Sequence, residues 1–390
     1  MHITCNKITQ QVWDSFVEIS GDASMSHLYG WKDVIEKSYG HRTFYLSAKE
    51  GEEVIGILPL VLIKSHIFGK QLVSMPFLDY GGICSKHSSE WNGQIANALA
   101  DEVLILSKEL KVDCVDLRHF EKTLTQWETS LEKVTMVMEL KHNEDSMWKA
   151  LPSERRNRIR KSQKNGLTAS FCEADALEEF YRVFVVNMRD LGSPVHSLDF
   201  FKNIMETFAC KTKIVLVKYK SNTIGAGLCF FFKDSVSIPW VSSLRKYFKL
   251  YPNNILYWEA IKYGCNNGYK LLDFGRSSRG SGTYEFKRQW GARPKQLYWD
   301  YFLTNGRKVI MDSKCNNPHW NIAWDNKPST KKRKLSNFII PMLPRPLTVG
   351  RANEAFLRGK DNSVAIRLWK KMPVSLSRVI GPTIRKSISN

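Results

Sequence analysis

Between Tyr251 and Gly291 the chain reads YPNNILYWEAIKYGCNNGYKLLDFGRSSRGSGTYEFKRQWG. Asp273, Tyr284, Glu285 and Lys287 within it are of the types that move protons or steady a developing charge. Leu271 and Leu272 open a buried strand with Asp273 expected at its carboxyl end, and Gly275 and Arg276 follow. Strand ends of α/β sheets are where ligands gather. Asp273 is the first candidate for a base, or for a carboxylate that orients an amine. A free aspartate near pKa ~3.9 is a poor match for an ammonium near ~10, so that role requires partial burial. The structural alternative is a carboxylate pairing with Arg276 or capping the next turn. Phe286 and Trp290, four apart, predict the buried stripe of a short helix that turns Lys287 toward another face, where it is available to a phosphate or carboxylate.

Elements must position these groups. Pro252 suits a first helical turn and Asn253 or Asn254 can cap it. Ile255, Trp258 and Ile261 continue in helical rhythm until the Cys265–Gly268 segment, CNNG, ends the helix. A helix N-terminus there is placed to take a donor's phosphate, with Lys246 and Lys249 adding charge. Upstream, Leu151–Gly166 reads LPSERRNRIRKSQKNG, a predicted helix with Arg156, Arg160 and Lys164 four apart on one face, while Arg155 and Ile159 share a neighbouring one. This is either a solvated edge or a phosphate-binding one. In the first part of the chain, Phe77–Gly82 (FLDYGG) places Asp79, Tyr80, Gly81 and Gly82 where backbone can approach a ligand, and Trp31 and His41 are candidates for the same cleft. No Ser–His–Asp arrangement is present in a form that supports nucleophilic catalysis, and Gly280–Gly282 is too short a signal for a nucleotide loop.

The pattern P-N-N-x-L-Y-W-x-A-I, then D-F-G-R-S, then G-S-G-x-Y-x-F-K-x-x-W-G, resembles the FemAB-like proteins of the acyl-CoA N-acyltransferase (GNAT) fold. Ser74–Ile83 (SMPFLDYGGI), Leu368–Ile384 (LWKKMPVSLSRVIGPTI) and the R-x-x-I-R-K-x-x-K-x-G pattern of the basic helix add to it. Within that group the chain is most similar to the FemAB-related proteins of PEP-CTERM/exosortase exopolysaccharide systems. The resemblance covers most of the chain, residues 306–365 least. It implies twin GNAT-like domains and transfer of an acyl or aminoacyl group to an amine or hydroxyl of a cell-envelope, exopolysaccharide or peptide acceptor. The glycine-rich Q/R-x-x-G-x-G/A signature of acetyl-CoA users is missing from Arg245–Asn254, which leaves another acyl-CoA or an aminoacyl-tRNA open as donor.

The pattern of elements agrees with duplication. Helix, hairpin, strand, helix, strand occurs once over residues 1–144 and again over 145–305. Val54–Ile63 pairs with Ile224–Phe232 and Val115–Arg118 with Leu272–Gly275. The expected class is therefore α/β (α+β): two tandem GNAT-like domains, 1–144 and 145–305, with a basic extension over 306–390. That extension holds 18 Lys or Arg against Asp312, Asp325, Glu354 and Asp361, most of a net charge of +20. Such a tail attracts polyanions, so tRNA and an anionic membrane surface are candidate partners, although packing back onto the enzyme is the favoured expectation. The eight cysteines contain no C-x-x-C pair, which argues for buried thiols and against a disulfide framework or a metal site. No apolar run approaches the ~18 residues of a transmembrane helix and the N-terminus lacks a signal-peptide core, so cytoplasmic residence is expected, with peripheral contact at the inner membrane face as an option. A function of another class, a non-catalytic RNA- or polyanion-binding protein on the same scaffold, would use the basic segments equally well.

Overall fold

A computed structural model describes residues 1–65, 69–86, 92–304 and 362–388. The lysine-rich segment 327–334 and the proline-punctuated stretch after it lie outside them. The chain first builds β1 (His2–Cys5), α1 (Gln10–Ile19), α2 (Trp31–Tyr39), β2 (Arg42–Glu50), β3 (Glu53–Ser65), β4 (Gly69–Val73), β5 (Cys84–Ser85), α3 (Asn92–Glu109), β6 (Cys114–His119) and β7 (Glu128–Ser130). It continues with β8 (Lys133–Glu139), α4 (Glu144–Ala150), α5 (Ser153–Lys164), β9 (Leu167–Cys172), α6 (Leu177–Leu191), α7 (Leu198–Thr207), β10 (Thr212–Tyr219), β11 (Asn222–Phe232) and β12 (Ser235–Ser243). Then come α8 (Pro252–Asn266), β13 (Leu271–Ser278), α9 (Gly282–Arg288), β14 (Arg293–Gln296) and β15 (Tyr298–Leu303), and after the undescribed segment α10 (Asn362–Lys371) and α11 (Val374–Arg385).

Two sheets result. The first runs β1-β2-β3-β4-β6-β15-β7, with β5 paired to β3, and the second β14-β8-β13-β12-β11-β10-β9. Strand patterning explains why each is covered on both faces. In β10, Ile214 and Leu216 enter the core between the sheets while Val215 and Val217 enter the core outside the second sheet. In β3, Ile57, Val61 and Ile63 face inward and Leu58, Leu60 and Leu62 face the outer core against α3. Both follow the period of two that sends alternate side chains to opposite faces. The inner core holds residues of α1, α2, α6 and α7 together with both sheets. Helices α4, α5 and α8 supply the core outside the second sheet. The layers are thus helix, sheet, helices, sheet, helices.

Sheet membership does not follow the expected cut at 144/145. Strand β8, placed by sequence in the first unit, sits inside the second sheet between β14 and β13, and β15 crosses back to lie between β6 and β7. Each sheet has one parallel pair, β4 with β6 and β12 with β13. The parallel ladders end at equivalent residues, Val73↔Asp116 and Ser237↔Asp273. Among the described residues no helix is long and apolar enough to cross a membrane.

Candidate functional site

Asp273 is the third residue of β13, not its last, and marks the point where that strand leaves β12. The two strands pair over Ser235↔Leu271, Val236↔Leu272 and Ser237↔Asp273 and then stop, while β12 continues to Ser243 and β13 to Ser278. Beyond the split, β13 follows β8 with a register shift between Asp273 and Arg276, where Gly275 takes φ +78°. That bend is open to glycine at little cost. Into it reaches the Phe77–Gly82 loop of the first sheet. Asp79 Oδ2 accepts the Arg276 backbone N–H at 2.9 Å, and its Oδ1 lies 3.3 Å from the Arg276 Nε.

Asp273 is 6% exposed. One carboxylate oxygen accepts the Thr135 hydroxyl and the Gly275 N–H (2.8 Å), and the other accepts the Tyr80 hydroxyl at 2.8 Å. Burial pushes its pKa up, and these three donors pull it back. Burial, then the Asp273 charge, also raise the Tyr80 phenol far above its ordinary range. A carboxylate holding three donors is a poor primary base. It is suited to orienting Tyr80, and through it an amine.

Lys287 corrects the sequence reading. It is 8% exposed, and its Nζ donates to the carbonyls of Gly275 (2.8 Å) and Arg276 (2.9 Å). Burial lowers its pKa to about 8, opposed by the charges of Asp79 and Asp273. An ammonium there keeps a third N–H for a ligand. Tyr284 and Glu285 stand apart from this group: Glu285 is engaged by Arg288 at 2.8 Å, and Tyr284 packs at the edge of the outer core.

Strand β6 holds the loop in place. Arg118, with no exposed surface, pairs with Asp116 at 2.8 Å and donates to the Leu78 carbonyl at 3.0 Å, while Gly81 N–H donates to the Arg118 carbonyl at 3.0 Å. Trp299 of β15 carries the Arg118 guanidinium 4.4 Å and the Arg276 guanidinium 5.1 Å from its ring, a cation–π contact that ties the two sheets at the site. Met75 and Phe77 have φ of 45° and 72°, so the loop is held in a conformation that non-glycine residues seldom adopt. Sequence reading passed over Arg118, Thr135 and Trp299. The parallel between Asp116-Leu117-Arg118 and Asp273-Phe274-Gly275 was the one signal that pointed to the first.

Not all the expected cleft residues join this cluster. Trp31 is sealed in the inner core with its indole N–H on the Met25 carbonyl. His41 lies at the seam with the C-terminal helix, Nε2 on the Lys386 carbonyl at 2.9 Å. Gly82 packs against His119 and gives its carbonyl to His27.

The start of α8 is open in a way the sequence did not suggest. Tyr251 is its N-cap, in the left-handed region and without a side-chain cap bond, because Asn253 takes the Ser243 hydroxyl instead (2.6 Å). Asn254 is buried, and its Nδ2 has no partner among the described residues. Helix α5 packs on α8 and brings Arg158 to 5.8 Å from the Tyr251 ring. Arg155, none of it exposed, has only Glu154 at 3.2 Å, and its guanidinium nitrogens make no hydrogen bond among the described residues. Lys246, Lys249 and Lys164 are exposed, Arg156 is half-buried, and Arg160 lies 5.2 Å from the Trp148 ring. An uncapped N-terminus with orphaned donors beside it fits an anionic group. A pocket of about 350 Å³ lined by Glu179, Arg182, Lys218, Asn222 and Leu244 does not include the Asp273 cluster. Among the described residues no group of His, Cys, Asp and Glu could hold a metal ion.

A family profile for the acetyltransferase (GNAT) domain matches residues 153–288. The fold is similar to that of FemX (16% identity, 77% of this chain and 97% of that one, TM-score 0.57). It is also similar to L-PGS from Bacillus licheniformis (13%, 77% and 93%, 0.52) and to a conserved protein of unknown function from Bacteroides thetaiotaomicron (8%, 78% and 100%, 0.52). Comparison with curated protein sequences gives no match. The fold is mixed α/β with two GNAT-like sheets in tandem.

Proposed function

We propose that the chain is an acyltransferase that moves an acyl or aminoacyl group onto an amine, or a hydroxyl, at the split between β12 and β13. The observation that carries this reading is the convergence of Asp79, Tyr80, Asp273, Arg276 and Lys287 at that split, drawn from both sheets. Lys287, as an ammonium, donates its third N–H to the oxygen that gains charge when the amine attacks the donor carbonyl. Tyr80, oriented by Asp273, accepts a hydrogen bond from the attacking amine and holds its surplus proton for transfer to the donor's leaving atom. The proton then leaves with the thiol or ribose hydroxyl as the tetrahedral intermediate collapses. The donor's phosphate rests at the start of α8, with Asn254 and Arg155 as the buried groups available to it. An acyl-CoA and an aminoacyl-tRNA both present such a phosphate, and the lack of the glycine-rich signature keeps both open.

The resemblance to FemAB-related proteins of PEP-CTERM systems supports a cell-envelope, exopolysaccharide or peptide acceptor, and residence in the cytoplasm or at the inner membrane face where such precursors are made. The domains are read as 1–144 and 145–305, with β8 and β15 exchanged, and 306–390 as the extension. The test is transfer from radiolabelled acyl-CoA or aminoacyl-tRNA to amino-sugar and peptide acceptors. Asp273→Asn and Lys287→Ala should each lose transfer about a hundredfold or more with a native circular dichroism spectrum. Full activity in both variants would sink the assignment. Donor-indifferent binding that collapses with salt, without turnover, would favour a polyanion-binding protein.

A further inference from the structure

Helices α10 and α11 return to the body of the protein, and α11 does more than cover it. Gly381 lets α11 approach the connection before α7 so closely that an added Cβ would meet the Val195 side chain at 2.6 Å and its backbone N at 3.0 Å. Arg378 sits 3.6 Å from Glu178 and 5.2 Å from the Tyr181 ring, which fixes the helix along α6. About two turns further on, Arg385 points inward. Its Nε donates to His196 Nε2 at 3.0 Å, and His196 Nδ1 lies 2.6 Å from the Tyr39 hydroxyl. A guanidinium can only donate, so Nε2 is unprotonated and His196 is neutral with its proton on Nδ1. Burial and the charge of Arg385 hold it in that form.

Arg385 uses one of its five N–H groups in this bond. Among the described residues no carboxylate pairs with it, whereas Arg118 has Asp116 and Arg276 has Asp79. Burial and the positive charges of Arg276 and Arg118 depress its pKa to about 10. Holding an uncompensated guanidinium in a half-buried position is costly unless an anion completes it. The next residue, Lys386, lines a pocket of about 190 Å³ with Tyr39, His41, Arg42, Leu62 and Lys64, three cations and no carboxylate, and Tyr39 joins that pocket to the Arg385–His196 pair. The ring of Phe77 links the two, 5.5 Å from the Arg385 guanidinium and 5.0 Å from the Tyr39 ring. Phe77 begins the loop that carries Asp79 and Tyr80.

We propose that Arg385 and this cationic pocket form an oxyanion-binding subsite for a phosphate or carboxylate of the acyl acceptor, so that the C-terminal helix completes the substrate cleft. The acceptor's identity as an acyl acceptor rests on the transferase reading, whereas the anion site does not. The experiment is isothermal titration calorimetry of the full chain with inorganic pyrophosphate and with succinate at near-physiological salt. A binding component weakened about ten- to a hundredfold in Arg385→Met and in Arg42→Met is expected, the loss that removing a charged hydrogen bond produces, distinct from any binding at the start of α8, which both variants leave unchanged. Lys371→Met, exposed on α10 and outside the pocket, should bind as the wild type does. Preference for pyrophosphate marks a phosphorylated acceptor and preference for succinate a carboxylated one. No binding, equal affinity in wild type and both pocket variants, or an equal loss in Lys371→Met would each overturn the subsite. If Arg385→Met fails to fold, Arg42→Met and Lys64→Met, both at exposed strand positions, decide the matter. Binding is read without turnover, so an inactive protein that still takes pyrophosphate separates the failure of the transferase reading from failure of this one.

Discussion

Lys287 carries its charge where the fold works against it. Its folded pKa of about 8 lies below the ~10.4 of an unfolded lysine. Between those values the unfolded chain binds the extra proton, so the stability of the wild type rises with pH across that window. Below about pH 8 the full penalty applies. Lys287→Met should therefore lose this pH dependence, so that the wild type gains about 1–3 kcal/mol on the variant between pH ~8 and pH ~10, whatever offset the two unpaired carbonyls of Gly275 and Arg276 add at every pH. Urea unfolding at several pH values measures it, and a pH-independent difference would refute the buried-ammonium description. Turnover by the wild type should fall as pH rises through about 8. A rise instead would mean that the neutral amine is the working form. The sequence showed Asp273, Arg276, Asp79 and Tyr80 through their glycine neighbours. The Phe286–Trp290 stripe holds, with their rings 6.4 Å apart in the outer core, but the other face of α9 is not open: it lies on β13, whose carbonyls take the Lys287 ammonium. The spacing does put Arg155 on the face of Ile159, and both are buried; what it does not show is that a buried guanidinium there is left with so few partners.

Strand β13 and the loop after β4 are the elements that make the site, and both depend on unusual backbone. Gly275→Ala tests the bend. At φ +78° a side chain costs about 1–2 kcal/mol, and the new Cβ would sit 3.4 Å from Asp79 Oδ2. The midpoint of thermal unfolding should fall, and the Asp79–Arg276 contact should loosen, read as a loss of transfer larger than the loss of stability explains. Unchanged activity at a lowered midpoint would show that the bend serves folding alone. Most elements were legible from periodicity: α8 begins at Pro252 as expected, and each repeat holds its expected hairpin, β2–β3 and β10–β11. The cap was not legible, because Asn253 prefers the Ser243 hydroxyl ten residues upstream, a choice made by tertiary structure. The C-terminal helices pack back on the body, the favoured expectation for the tail.

Across the whole molecule, duplication was visible in the repeated order of elements, but exchange of strands was not, since β8 and β15 have the same apolar alternation as any neighbour they might have chosen. The exchange makes the halves interdependent. Residues 1–144 alone would lack β15, and 145–390 alone would lack β8, an inner strand of the second sheet. Neither piece should show a cooperative thermal transition by circular dichroism, and co-expression should restore one. A cooperative transition in either isolated piece would refute this interdependence.

The same exchange has a consequence for how the protein is made on the ribosome. β6 emerges early, yet the neighbour that closes its edge, Tyr298–Leu303, is translated only after nearly the whole of the second sheet. Throughout that interval the nascent chain presents a row of unsatisfied backbone groups, the kind of edge on which chains stick to one another. Slow or interrupted synthesis should therefore lower the yield of soluble product far more than any defect in the finished molecule's stability.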